Sequence, residues 1–199
     1  MLIKLLPESE KDLLLDIAKI LVLSSNALLW GAKKSDELTL ESNLDDISIQ
    51  TDEKEKELIK DLSQSIGIDI SQNSFFHKTP NLFGSFLFNE SIERKLISEI
   101  KKAPIKNIES TENRAHAAKS VMAIALKDKH NEQPEPPKIM LFELFLVALR
   151  NGSISNIEFA LLKDFQFHYG LEDFVFDDLL ERAEALNNEV SKAISIVLE

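Results

Sequence analysis

Leu141-Phe142-Glu143-Leu144-Phe145-Leu146-Val147-Ala148-Leu149-Arg150-Asn151-Gly152-Ser153-Ile154-Ser155-Asn156-Ile157-Glu158-Phe159-Ala160-Leu161-Leu162 contains a helix, a turn and the opening of a second helix. Its apolar residues are too dense for a surface strand and continue the helical run that starts at Lys138. Asn151-Gly152 is a turn dipeptide, and glycine tolerates the left-handed backbone that ends many helices. Ser155 and Glu158 then have the spacing of a capping box. The serine side chain accepts from the backbone three residues on, and the glutamate returns the bond to the serine amide. The second helix is expected over residues 156–169, with Gly170 stopping it.

Helical spacing extends outward from this segment over most of the chain, and no strand pattern of useful length appears. Leu13, Leu14, Ile17, Ile20, Leu21, Leu28 and Leu29 predict a first helix over residues 9–30, ended by Gly31. Residues 32–50 are acidic, have only a short apolar alternation and read as a loop. Further helices are expected from Thr51 or Asp52 to Gly67, over 90–102 before Pro104, over 110–128, and from Asp173 to near the end. Residues 129–137, rich in proline and polar groups, read as a stiff linker. Phe75, Phe76, Phe83, Phe86 and Phe88 punctuate residues 71–88 and are expected to pack inward between the two halves. The fold class is therefore all-α, a compact multi-helix bundle. Residues 1–133 form an N-terminal half and 134–199 a C-terminal half of one unit.

A shift of 103 residues lays Leu58–Ile68 over Leu161–Leu171, with Leu, Lys, Asp and Gly identical and four further pairs apolar in both. The same shift superposes Asp52 on Ser155 and Glu55 on Glu158, so both segments open with a capping box and close at a glycine. Two helix-turn-helix units related by this shift are expected, with Gly67 and Gly170 at positive φ.

The 199 residues are 44% apolar and contain no cysteine, which excludes disulfides and thiolate metal sites. The N-terminus lacks the basic region and small-residue cleavage site of a signal peptide, and the most apolar stretch, 13–30, is broken by Asp16, Lys19, Ser24, Ser25 and Asn26. A cytoplasmic protein without a transmembrane segment is expected. The net charge of −11 is concentrated: nine acids against two lysines in residues 35–57 and seven acids against one arginine in 171–189. Such a chain does not hold bare nucleic acid by counterion release, so a protein partner is expected, and a basic one where charge selects it. Nothing in the sequence sets the oligomeric state.

The 141–162 segment, with Gly152, Ile154, Ser155 and Glu158 in place, resembles the tellurite-resistance TerB-like superfamily. That superfamily includes the N-terminal segment of a membrane-anchored DnaJ-like co-chaperone. Tyr169-Gly170-Leu171 and the stretch from Phe174 to Ala183 continue the resemblance, which covers about residues 115–185. It implies a helical bundle linked to stress responses, metal ions or membrane-associated complexes, with an acidic cluster that holds a divalent cation. Asn151 stands where the family usually has Asp, and a neutral amide is a poorer ligand for a hard cation than a carboxylate. The turn is therefore expected to cap a helix.

Catalytic signatures are missing. Five scattered glycines make no phosphate loop, and there is no Gly-x-Ser-x-Gly elbow or His-Glu-x-x-His. His77, His116, His130 and His168 have no Glu three residues ahead, so the di-iron pattern fails. Glu112 and His116 share a helix face, as do Asp177 and Glu181 with Asp178 beside them. Both groups read as solvated surface, the second favoured by its nearby helix N-terminus. No catalytic, cofactor-binding or metal-ligating residue is assigned. The expected function is that of a non-enzymatic TerB-like protein acting through protein contacts. The alternatives are an acidic inhibitor or immunity-type protein mimicking nucleic acid, and a metal-dependent helical enzyme.

Overall fold

The computed structural model describes residues 2–31, 33–34, 37, 45–67, 92–129 and 135–198. Within them the protein is all-α, with one two-stranded ribbon. After a short 3-10 turn over Leu2–Leu5 come α1 (Glu8–Ser24), β1 (Leu28–Trp30), β2 (Ile47–Ile49), α2 (Glu53–Ser65) and α3 (Ile92–Ile100). They are followed by α4 (Thr111–Leu126), α5 (Glu135–Ala148), α6 (Asn156–His168) and α7 (Asp173–Leu198). The Phe75–Phe88 segment, whose rings are expected to pack inward, lies outside the described residues.

Two helices organise the rest. The buried residues of α1, Leu13, Leu14, Ile17, Ile20 and Leu21 among them, contact α4 on one side and α5 on another. Helix α5 is apolar almost all round, as a central helix must be, and also carries α6 and α7. Helices α3 and α6 complete the bundle by packing on α4. One continuous core results, running from Ile3 to Ala183 through both halves of the chain.

The first helix is shorter than the apolar spacing predicts. It ends at Ser24, and Leu28 to Trp30, assigned above to the helix, form β1. Arg114 of α4 donates through Nη2 to the Ser24 carbonyl at 2.7 Å and also to the Asn26 carbonyl, satisfying acceptors that a continued helix would have used itself. Past this break Leu28 and Trp30 are buried and Leu29 is half-buried. Antiparallel pairing matches Leu28 with Ile49 and Trp30 with Ile47, which places all four buried side chains on one face. The Ile47-Ser48-Ile49 alternation, assigned above to a loop, is thus the second strand.

The prolines also differ from expectation. Pro136 and Pro137, assigned to a stiff linker, occupy the first turn of α5 and are buried. Their missing N–H groups cost nothing there, because the first amides of a helix have no partner within it, and proline's fixed φ already suits the helix.

Candidate functional site

The two capping boxes form as the spacing predicts. The Glu55 amide donates to Asp52 Oδ1 at 2.8 Å and the Asp52 amide to Glu55 Oε2 at 3.2 Å. The Glu158 amide donates to Ser155 Oγ at 3.2 Å and the Ser155 amide to Glu158 Oε2 at 2.8 Å. The far ends match as well. Ile66 and Tyr169 have φ, ψ of −94°, 3° and −93°, 4°, and each amide donates to two carbonyls at positions equivalent under the 103-residue shift, Leu62 and Gln64 for Ile66, Phe165 and Phe167 for Tyr169. Gly67 and Gly170 follow with φ of 83° and 61°. Helices α2 and α6 are therefore built alike from N-cap to final glycine, down to a buried polar residue at the equivalent positions Ser63 and Gln166.

Both capping glutamates are buried, which capping does not require, since most helix ends face water. Their second oxygens converge on Arg150. Its Nη1 donates to Glu158 Oε1 at 2.6 Å and its Nη2 to Glu55 Oε1 at 3.3 Å, while the three side chains are only 9%, 3% and 8% exposed. Asn26 Nδ2 adds a donor to Glu55 Oε2 at 2.7 Å. A planar guanidinium with its donors in a fixed fork can serve two carboxylates at once, whereas a single ammonium could not hold this geometry. Arg150 sits in the 3-10 turn Leu149–Asn151 that ends α5, and Nη1 also reaches the Val147 carbonyl at 3.3 Å. Sequence reading missed this residue because a basic side chain at a helix C-terminus already has an ordinary explanation in the helix dipole.

The chemistry available here is limited. Both oxygens of Glu158 are occupied, one by Arg150 and one by the Ser155 amide. Asn151 and Ser153 of the same turn are exposed, so the turn does not gather its oxygens at one point. The other sequence candidates are placed apart. Asp177, Asp178 and Glu181 are exposed on α7, and Asp178 lies 3.7 Å from Arg182. Glu112 and His116 are exposed on α4. His168 Nε2 is 2.9 Å from the Lys129 carbonyl, and its ring meets Tyr169 edge-on. His77 and His130 lie outside the described residues. Among the described residues no three histidine, aspartate or glutamate side chains gather as a metal site.

Elsewhere, a cleft of about 760 Å³ between the N-terminal turn and α2 is lined, among the described residues, by Ile3, Lys4, Asp61, Gln64 and Ser65, which include one carboxylate and no imidazole. Glu143, buried in α5, accepts from the Leu2 amide and anchors the N-terminal turn. The Tyr169 hydroxyl is buried and has no hydrogen-bond partner among the described residues. Burial, reinforced by the nearby Glu10 carboxylate, pushes it up to about 12.

The surface has a different character along α7. Only Phe176 and Ala183 of its 26 residues are buried, and beyond Ala183 the helix exposes Leu186, Val190, Ile194, Ile196, Val197 and Leu198. No family model, curated protein or solved structure matches this chain.

Proposed function

We propose that the protein is a divergent TerB-like helical protein that works through protein contacts and not as an enzyme. Its setting would be a bacterial stress response or an envelope-associated complex, and its location the cytoplasm. The resemblance over residues 115–185 supplies the family and the setting. The observation that carries contact as the mode of action is the distal half of α7, which leaves a row of large aliphatic side chains in water. Soluble monomers keep such surface scarce, and a contiguous patch of it usually serves recognition. Among the described residues no helix is long and apolar enough to cross a membrane.

The acidic half of α7 favours a second reading, an inhibitor or immunity-type protein. Glu172, Asp173, Asp177, Asp178, Glu181 and Glu184 line a short exposed stretch that carries one basic residue of its own, Arg182, with Lys163 of α6 reaching Asp173 at 3.3 Å, and this density attracts a basic surface. Crosslinking of the tagged full chain in its native host, followed by identification of what it retains, separates the readings. A stoichiometric partner held through the apolar half of α7 supports the first. A nucleic-acid-binding protein released by modest salt supports the second. Recovery of no protein at all would sink both.

A further inference from the structure

Phe176, Leu179, Ala183, Leu186, Val190, Ala193 and Val197 follow one another at alternating steps of three and four residues, the spacing of a coiled-coil seam. Phe176 and Ala183 are wholly buried and Leu179 is half-buried, so the first part of the seam is spent inside the molecule, where α7 packs on α5. Leu186, Val190 and Val197 continue in the same register at 44%, 49% and 82% exposure, and Ile194 widens the stripe at 53%. The spacing that folds the chain runs unbroken out of its own body.

We propose that the distal half of α7 pairs antiparallel with the same segment of a second copy of this chain, a proposal that rests on the protein-contact reading above. Charge selects both the occupant and its direction. Residues 172–184 carry six acids against one arginine, whereas residues 185–198 carry one of each, Glu189 and Lys192. Parallel pairing along the helix would set the two acidic halves side by side. Antiparallel overlap of the distal halves joins only the neutral segments and sends the acidic halves to opposite ends. In that register Leu186 faces Val197 of the second copy and Val190 faces Ala193, a larger residue against a smaller one at the centre.

The area suits a modest dimer. The stripe itself, Leu186, Val190, Ile194 and Val197, exposes on the order of 400 Å² per copy, about half the ~800 Å² that each partner gives to a standard interface, so the expected pairing is weak. A lipid surface fits poorly, because membrane-surface helices carry a basic polar face and this one has the single Lys192.

Sedimentation equilibrium of the full chain from about 1 to about 300 µM is expected to show a monomer–dimer equilibrium. Val190→Glu should raise its dissociation constant about tenfold or more with an unchanged circular-dichroism melt, since Val190 is half exposed, and Val190→Ile should keep the dimer. The absence of native cysteine allows a direct test of orientation. An oxidised mixture of Val190→Cys and Ala193→Cys chains should give chiefly the mixed disulfide dimer. Dominant Val190→Cys homodimers would overturn the antiparallel arrangement, and a monomer at every concentration would overturn the second copy as occupant. A monomer whose native-host partner is lost on Val190→Glu would leave the protein-contact reading standing and remove this one. Adsorption of the monomer to vesicles of anionic phospholipid, abolished by Val190→Glu, would assign the stripe to a lipid surface instead.

Discussion

Glu55 and Glu158, 103 residues apart, close the same kind of capping box on two different helices and reach the same guanidinium, that of Arg150. Neither carboxylate could be buried on the strength of its cap alone. A backbone amide satisfies one lone pair but leaves the charge uncompensated, and an uncompensated buried charge costs several kcal/mol.

Arg150→Met should therefore cost about 3 kcal/mol or more, the usual penalty for removing one partner of a buried ionic group. Urea unfolding measures it. Arg150→Lys should recover only part of the loss, because a single ammonium cannot span both carboxylates. A loss below about 1 kcal/mol would mean that water or a side-chain rearrangement already compensates the glutamates.

Asp52→Ala and Ser155→Ala should each cost about 0.5–2 kcal/mol, with similar values at the two sites because the caps are built alike. Magnesium or calcium should leave the melting temperature unchanged, since both oxygens of Glu158 already have donors. A saturable rise in melting temperature, lost in Glu158→Gln, would contradict this and restore the cation implied by the family resemblance.

Gly67→Ala and Gly170→Ala isolate backbone strain. Both glycines have positive φ, and a Cβ at either meets nothing within 4 Å. Each change should cost about 1 kcal/mol with no steric addition. A cost several times larger at one site would reveal a neighbour that the other lacks.

Tyr169 is the sole tyrosine, so phenolate absorbance reports it alone. In the folded protein burial, with the Glu10 carboxylate beside it, pushes the phenol up from the ordinary 10.0 to about 12. Between these two values the unfolded chain has released a proton that the folded chain retains. The stabilising contribution is therefore complete below pH ~10 and falls away as pH rises toward ~12. Alkaline titration should show no phenolate until that window or until helicity is lost. Ionisation centred near 10 with full helicity would show the hydroxyl to be solvated.

The helices were legible where local physics decides them. The caps of α2 and α6 and the glycine stops at Gly67 and Gly170 are short-range patterns, and the structure reproduces them. The end of α1 was not legible. Leu28 and Leu29 keep the helical period, while the features that break it, strand partners at residues 47–49 and the Arg114 guanidinium, lie far along the chain. Pro136 and Pro137 misled for the opposite reason, since proline marks a linker and a first helical turn equally well. At the buried cluster, the sequence showed two glutamates with capping roles, but their burial depends on how α2 and the α5–α6 turn meet, which no local pattern encodes. The exposed seam of α7 went unseen because periodicity reports which face is apolar and says nothing of where the protein body stops.

Arg150 has a consequence for cooperativity. Opening α2 by itself would strip Glu55 from its counter-charge, and opening α6 by itself would strip Glu158, so either local excursion exposes Arg150 to a half-empty site in a poorly hydrated surround. The amides of α2 and α6, which belong to opposite halves of the chain, are thereby tied to one opening event. Their hydrogen exchange should slow and quicken together, and the link between the halves is electrostatic as well as apolar.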